Sequence, residues 1–87
     1  MAIAEHSLEM RGMPHRDLEE YFLAIGGKYV GQGTYLGPNW EVKLSDEWTC
    51  SLRLIQIPAT LVTFRVNEED WQQIYNAFRL RFLSAGG

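Results

Sequence analysis

Cysteine is almost missing from this sequence, since Cys50 is the only one among 87 residues. One thiol cannot form a disulfide within the chain, and it excludes a zinc site built from cysteines. Long apolar runs are missing too: no stretch approaches the ~20 residues that cross a membrane, and charges interrupt the first ten residues, where a secretory signal is apolar. We therefore predict a cytoplasmic protein in which Cys50 is a small buried side chain.

Basic residues are also few. Eight Lys and Arg stand against eleven Asp and Glu, which gives a formal net charge of −3. Tight binding to the phosphate backbone of a nucleic acid requires clustered Lys and Arg, so the excess of acidic residues argues against nucleic acid as a partner. Because 46% of the residues are hydrophobic, the chain can bury one core, and it is too short for two. We predict a single domain over residues 1–87.

Catalytic motifs are the third absence. The glycines of residues 26–33 follow a predicted helix and precede a predicted strand, and they match neither the Walker pattern nor G-x-G-x-x-G. His6 and His15 lack the i,i+4 spacing of paired metal ligands on a helix. The carboxylates occupy helix starts and turns, where solvation explains them. The sequence thus predicts no catalytic residue, no metal and no cofactor, and we expect a protein that is not an enzyme.

The strongest pattern that is present is an amphipathic helix over residues 67–83. Its apolar stripe recurs at helical spacing through Trp71, Ile74, Tyr75, Phe78 and Phe82. An asparagine and three acidic residues begin the segment and two arginines lie near its end, so both ends of the helix dipole are compensated. A stripe with four rings needs a broad apolar surface opposite it, and we expect that surface to be a β-sheet.

A shorter helix is predicted near the N-terminus, after one strand. Residues 3–11 alternate loosely and indicate a short edge strand, which Gly12 ends. The apolar stripe of the helix that follows, at i, i+3, i+4 and i+7, is Leu18, Tyr21, Phe22 and Ile25. The glycine pair at 26–27 is typical of a helix stop.

Between the helices the apolar period changes from 3.6 to 2, which indicates strands. We predict four of them, over residues 28–36, 40–45, 48–54 and 61–66. Their predicted connections are a turn at 37–39, a hairpin turn at 45–47 and a tight connection at 58–59, with a bulge at 54–55. The side chains expected on the buried side of the third strand are Trp48, Cys50, Leu52 and Leu54.

The predicted order is β-α-β-β-β-β-α, which is an α+β fold. Four consecutive strands joined by short turns predict an antiparallel meander, and one apolar stripe per helix predicts that both helices pack on the same sheet face. The other face should carry Glu41, Lys43, Thr49, Ser51, Arg53, Leu61, Thr63 and Arg65. Its cations Lys43, Arg53 and Arg65 are a candidate site for a phosphate or carboxylate ligand, although an ordinary solvated face has the same composition.

The chain closes on Gly86 and Gly87, at the end of a tail of residues 84–87 that we expect to be flexible. A slim glycine pair suits an adenylating enzyme that draws a carboxylate into a narrow active site, which is the chemistry of ubiquitin-like sulfur carriers. In those proteins the tail leaves a strand, whereas here it leaves a predicted helix, and glycines after a helix are also ordinary caps. Both interpretations stay open on the residues alone.

Several landmarks together resemble a known family. They are the run DLEEYFLAIGGKYVGQGTY, the step Leu36-Gly37-Pro38, the step Ile57-Pro58, the acidic-then-Trp segment 68–71 and the closing glycine pair. These features are similar to a small bacterial domain found as the C-terminal half of a protein related to the small subunit of molybdopterin synthase, a ubiquitin-like sulfur carrier. The resemblance covers nearly the whole chain and implies a TBP-like fold of order β-α-β4-α, in agreement with the predicted order.

The resemblance implies a binding or accessory domain, linked to sulfur-carrier or molybdopterin-type cofactor biosynthesis, whose partner is a protein or a small anionic ligand. Since no β-grasp half precedes Ile3, we expect a stand-alone module. The alternative is a carrier whose Gly86-Gly87 terminus is adenylated and thiocarboxylated by a partner enzyme. DNA binding by analogy with the TBP saddle rests on fold alone and conflicts with the net charge of −3.

Overall fold

The computed structural model describes residues 2–82, which form six strands and two helices. In chain order the elements are β1 (Ile3–Arg11), α1 (His15–Ala24), β2 (Lys28–Gly31), β3 (Thr34–Leu36), β4 (Trp40–Leu44), β5 (Trp48–Leu52), β6 (Ile55–Asn67) and α2 (Glu68–Phe82). The fold is α+β, as the sequence predicts. No helix in this part of the chain is long and apolar enough to cross a membrane.

The last strand, β6, pairs with three other strands, β1, β4 and β5. The strand order is β1-β6-β4-β3-β2, and β5 pairs with β6 beyond the end of β4. All of these pairings are antiparallel. The predicted edge position of β1 is confirmed, whereas the predicted meander is wrong, because the strands around β6 do not follow one another in chain order. A strand of 13 residues is long enough to take two partners end to end on one side and β1 on the other.

The sixth strand arises because residues 28–36 form a hairpin and not one strand. The chain reverses at Gln32 and Gly33, whose φ angles are +53° and +75°. Two successive left-handed residues favour the tight turns that join antiparallel neighbours. Lys28 then pairs with Leu36 across the hairpin.

A β-bulge takes the place of the predicted hairpin turn at 45–47. Ser45 donates its N–H to the carbonyl of Leu61 (3.0 Å) and accepts the Leu61 N–H on its hydroxyl (2.8 Å), so it is still aligned with β6. β5 resumes the pairing opposite Ala59. Residues 46–47 therefore lie opposite the single residue Thr60, which is the two-against-one arrangement of a bulge. β4 and β5 are in effect one long strand with a bulge in it.

The bulge reverses the faces of β5. One extra residue moves each later side chain to the other side of the sheet, because the side-chain period of a strand is two. The prediction that Trp48 and Leu52 are buried is accordingly wrong: they are 40% and 45% exposed, on the face that the helices leave open. Leu54 was also predicted to be buried, and it is fully exposed in the turn between β5 and β6.

That turn contradicts two further predictions. It consists of residues 53–54, since Leu52 pairs with Ile55, so 54–55 is no bulge. The predicted connection at 58–59 lies inside β6, where Pro58 faces Thr49. A proline is tolerated there because its backbone groups point away from Thr49, to the β1 side, where its carbonyl accepts the Gly12 N–H, so β5 needs no donor from it.

Both helices pack on the same face of the sheet, as predicted. Fully buried side chains come from α1 (Phe22), from α2 (Phe78) and from the strands (Val42 and Phe64). The ring of Phe78 stacks on Phe22 at 5.9 Å between centroids and meets Phe64 edge-on at 5.3 Å. Phe78 is thus the side chain through which the last helix joins the first helix and the sheet.

The bulge also supplies the start of α1. Pro14 precedes the helix and offers no side-chain cap, and the N–H of His15 donates instead to Oε1 of Glu47 at 2.8 Å. A carboxylate at this end of a helix satisfies an unpaired donor and opposes the positive end of the dipole. At the other end, Gly26 has a φ of +99°, so the predicted glycine stop is confirmed.

Two glycines make room for Trp40 in the core. A Cβ added to Gly37 would fall inside the indole ring of Trp40, and one added to Gly27 would lie 2.5 Å from its Cη2 atom. Real Cβ atoms do not approach carbon so closely. Trp40 is therefore held in a slot that only glycine at both positions leaves open.

Candidate functional site

The candidate site is the helix-free side of the sheet, called here the open face. Its side chains are arranged in rows across the strands, since residues that pair share a face. The members supplied by β1, β6, β4 and β3 are Glu5, Ser7, Glu9, Arg11, Leu61, Thr63, Arg65, Glu41, Lys43, Thr34 and Leu36. The predicted positions of Lys43 and Arg65 on this face are correct.

Arg65 lies between two carboxylates. Its guanidinium is 3.9 Å from Glu5 on β1 and 3.7 Å from Glu41 on β4, which are its neighbours in the same row. These ion pairs are exposed, and such pairs contribute little stability. Their effect is local: two negative charges surround one positive charge, so this row does not attract an anion.

Lys43 is different, because none of the described carboxylates pairs with it. Its row carries hydroxyls on both sides, Thr34 on β3 and Thr63 on β6. Thr63 in turn shares a hydrogen bond of 3.2 Å with Ser7. An ammonium next to hydroxyl donors suits a carboxylate or a phosphate oxygen. This row is therefore a part of the open face that fits an anion.

Arg53 does not join these cations. It is in the turn between β5 and β6, with a φ of +57°, and β6 separates it from the row of Arg65 by ten residues or roughly 33 Å. The predicted convergence of Lys43, Arg53 and Arg65 is therefore wrong, and the ligand role of Lys43 and Arg65 stays a prediction. The other predicted site, Gly86 and Gly87 with the tail 84–87, lies outside the described residues.

A strip of apolar side chains continues the open face toward the β5–β6 turn. Because of the bulge, alternate residues of β5, beginning with Trp48, lie on this face together with alternate residues from the first half of β6. The apolar strip consists of Trp48, Cys50, Leu52, Ile55, Ile57 and Leu61. Cys50 is half-buried, not buried as predicted. Four of the six are exposed and Cys50 and Ile57 are half-buried. Single exposed apolar residues are ordinary, whereas a group of them on one hairpin makes the strip a candidate contact surface.

A small polar cluster lies on the opposite side of the sheet. The carboxylate of Glu19 accepts the hydroxyl of Tyr35 at 3.1 Å and lies 3.7 Å from Nε2 of His15. Burial, and then the hydrogen bond to Glu19, raise the pKa of Tyr35 to about 12. His6 is elsewhere, with its ring stacked on Trp71 at 4.0 Å. The described residues contain no group of three or more potential ligands placed to hold a metal ion.

The Tyr35–Glu19 hydrogen bond predicts a pH dependence. Tyr35→Phe should lower the free energy of unfolding by about 1 kcal/mol near pH 8, since it removes a partly buried hydrogen bond to a carboxylate. The raised pKa means that the unfolded chain loses this proton near pH 10, whereas the folded chain keeps it to about pH 12. Stability from the bond is therefore present below pH 10 and is lost as the pH rises toward 12. Urea melts of both proteins at pH 8, 10 and 11.5 should show the gap closing, and a gap that widens would contradict this assignment.

A cleft of about 250 Å³ separates the helices. It is lined by Tyr21 of α1, by Ile25 just after that helix, by Ile74 of α2 and by the carboxamides of Asn39 and Gln73. Burial raises the pKa of the Tyr21 phenol at this place. The cleft is large enough for a small apolar group, and it offers no charged side chain to orient one.

Comparison with known proteins gives one finding. The model of a family described as archaeal MoaD-like protein matches residues 6–87. The match confirms the resemblance to MoaD-related proteins and includes every element described above apart from the first three residues of β1. No curated protein matches the chain.

Proposed function

The chain belongs to the archaeal MoaD-like family, and on this premise we propose that it is a binding module, without catalytic activity of its own, in sulfur-carrier or molybdopterin-type cofactor synthesis. The observation that supports this role is the open face. Among residues 2–82, both helices pack on one side of the sheet and leave the other side uncovered, where the unpaired cation Lys43 lies beside the apolar side chain of Leu61.

The chemistry of this face fits a folded protein partner. Lys43 and Leu61 occupy neighbouring rows, at a diagonal separation of about 7–8 Å. Leu61 is 38% exposed, so it offers apolar surface within reach of the ammonium. Apolar surface flanked by polar groups is the usual composition of interfaces between proteins. The partner should present a carboxylate to Lys43 and an apolar side chain to Leu61.

The arrangement of titratable groups supports a role in binding over one in catalysis. The cluster around Glu19 keeps Tyr35 protonated across the physiological range and lies on the side away from the open face. Cys50, the one thiol, is half-buried on the apolar strip. Nucleophilic catalysis needs a base within hydrogen-bond reach of the nucleophile, and no such hydrogen bond to Cys50 occurs among the described residues.

A binding experiment tests this function. Purified proteins of cofactor synthesis from the same host would be titrated into isotope-labelled chain, and the amide shifts mapped. We expect shifts on β4 and β6 around Lys43 and Leu61, and Lys43→Glu should weaken binding roughly tenfold. Arg79→Glu, on the exposed side of α2, is the matched control and should leave affinity unchanged. Absence of binding, or shifts confined to the helices, would refute the proposal.

A second candidate is supported by the extent of the family match, which runs through Gly86 and Gly87. In this case a partner enzyme would adenylate the terminal glycine carboxylate with ATP, releasing pyrophosphate, and sulfide supplied by a donor would then displace AMP to leave the thiocarboxylate. Replacing one oxygen by sulfur adds about 16 Da, so intact-mass measurement of protein from its native host identifies a carrier directly. Deletion of Gly86 and Gly87 should abolish adenylation if the chain is a carrier and leave the shifts around Lys43 unchanged if it is a module.

A further inference from the structure

We propose that β5 pairs with β5 of a second copy of this chain, forming a homodimer whose two-fold axis passes beside Cys50. This dimer does not require the proposed function, since the strand edge that forms it makes no use of Lys43. Its starting point is that β5, among the described residues, pairs with β6 alone.

The backbone groups at the free edge can be assigned from the pairing. Pro58 lies opposite Thr49, and the Pro58 carbonyl accepts the N–H of Gly12 at 2.8 Å, on the β1 side of β6. Two opposed residues of an antiparallel pair either both point their backbone groups inward or both point them outward. Thr49, and by alternation Ser51, therefore present their N–H and C=O groups to the free edge of β5.

A two-fold axis at Cys50 satisfies all four of these groups. Antiparallel pairing about that axis gives two hydrogen bonds between Thr49 and Ser51 of the second copy, and two more by symmetry. The opposed residues across the axis are Cys50 with Cys50, Thr49 with Ser51, Trp48 with Leu52 and Glu47 with Arg53. Each exposed apolar residue of β5 thus meets another, and the apolar strips of the two copies join into one.

The charges select a second copy as the partner of this edge. A two-fold axis places like residues near each other, and β5 itself, WTCSL, carries no charge that would meet its own image. Edge strands that avoid such pairing usually carry charges or proline. The first charged residues on either side, Glu47 and Arg53, are of opposite sign, and the two-fold axis brings them near each other at both ends of the paired strands. Oε1 of Glu47 accepts the His15 N–H, which leaves its other oxygen for the guanidinium. An unrelated strand would match this pattern only by coincidence of sequence.

Pairing of the two copies covers the exposed side chains of Trp48 and Leu52. They are 40% and 45% exposed in the single chain, and cross-strand pairs of an aromatic with an aliphatic side chain are favourable. Two five-residue strands bury an area at the low end of specific interfaces, so we expect dissociation in the micromolar range.

Cysteine cross-linking tests the register, since Cys50 is the only thiol. Opposed residues that are not hydrogen-bonded have Cα atoms about 4.5 Å apart, within the span of a disulfide. Diamide takes one hydrogen from each of two thiols, is reduced to the hydrazine, and leaves one disulfide. We expect rapid covalent dimer formation by the wild-type chain at concentrations where the dimer is populated.

The matched control moves the thiol off the axis. In Cys50→Ser with Thr49→Cys, the two introduced thiols belong to residues roughly 8 Å apart, beyond disulfide reach, so this variant should cross-link at least tenfold more slowly. A second variant combines Cys50→Ser with Ser51→Cys. When the two variants are mixed, fast cross-linking should return, because position 49 of one copy lies opposite position 51 of the other. Equal rates for all variants would mean collisional cross-linking and would overturn the register.

Sedimentation under reducing conditions tests the dimer itself. Thr49→Pro removes an edge donor that β6 does not use, and Arg53→Glu places two carboxylates together, so each should raise the dissociation constant at least about tenfold. Arg79→Glu should not change it. Melting curves show whether each variant is folded. A wild-type chain that stays monomeric at millimolar concentration, or an unaltered dimer of Thr49→Pro, would refute the proposal.

Discussion

Phe78→Ala should lower the free energy of unfolding by about 3–5 kcal/mol, the range measured for deletion of a buried phenylalanine ring. The reason is its position: Phe78 is fully buried, stacks on Phe22 and meets Phe64 edge-on. A small domain has about 5–15 kcal/mol in total, so the variant should melt at least about 10 °C lower or fail to fold. Guanidinium melts monitored by tryptophan fluorescence measure the effect.

Arg79→Ala is the control one residue away. Arg79 is exposed, and its guanidinium lies 5.8 Å above the ring of Tyr75. An exposed cation–π contact of this kind contributes about 0.5 kcal/mol. Equal losses in the two variants would show that α2 has a different register from the one described.

Gly37→Ala should destabilise the fold by about 3 kcal/mol, although it adds a single methyl group. The new Cβ would fall inside the indole of Trp40, whose other edge is held against Gly27. Trp40 is 8% exposed and part of the core, so the ring cannot turn aside without moving its neighbours. Urea melts of the variant should show a lower midpoint with an unchanged slope.

A double mutant separates this clash from other effects of alanine. Trp40→Leu alone should be destabilising, because it leaves a cavity. In the Trp40→Leu background, however, Gly37→Ala should cost less than about 1 kcal/mol, since the ring that it would overlap is gone. Additive losses would show that the backbone at Gly37, and not Trp40, resists the substitution.

The helices could be predicted from the sequence because their determinants are local. The stripe of α2 identifies Phe78 as a core residue, and the glycine pair after α1 marks its end within a residue. The alternation of residues 40–44 likewise assigns Lys43 to the open face correctly. Each of these patterns is complete within a few turns or one strand.

The arrangement of the strands could not be predicted, because it depends on a distant partner. The polar segment Ser-Asp-Glu, between two stretches of alternating apolar and polar residues, is compatible with a hairpin turn and with a bulge. It forms a bulge because β6 is long enough to pair with both stretches end to end. The bulge also determines the candidate site, since it places Trp48 on the open face and removes Arg53 from it. The hairpin at 28–36 had a local signal, Gly31-Gln32-Gly33, which also fits a weakened strand. The capping role of Glu47 had no sequence signal apart from the lack of a side-chain cap at Pro14.

The three pairings of β6 also govern how the chain can fold as it is synthesised. Among the described strands β1 pairs with β6 alone, and Ile3 pairs with Asn67, so β1 cannot pair fully until residue 67 has been made. α1 cannot complete its packing before then either, because Phe22 packs against Phe64 of β6. Pairings so distant in sequence are slow to form, and apolar segments remain unpaired meanwhile. On the ribosome, the described strands that can pair before β6 emerges are β2, β3 and β4, and the rest of the sheet then forms around β6.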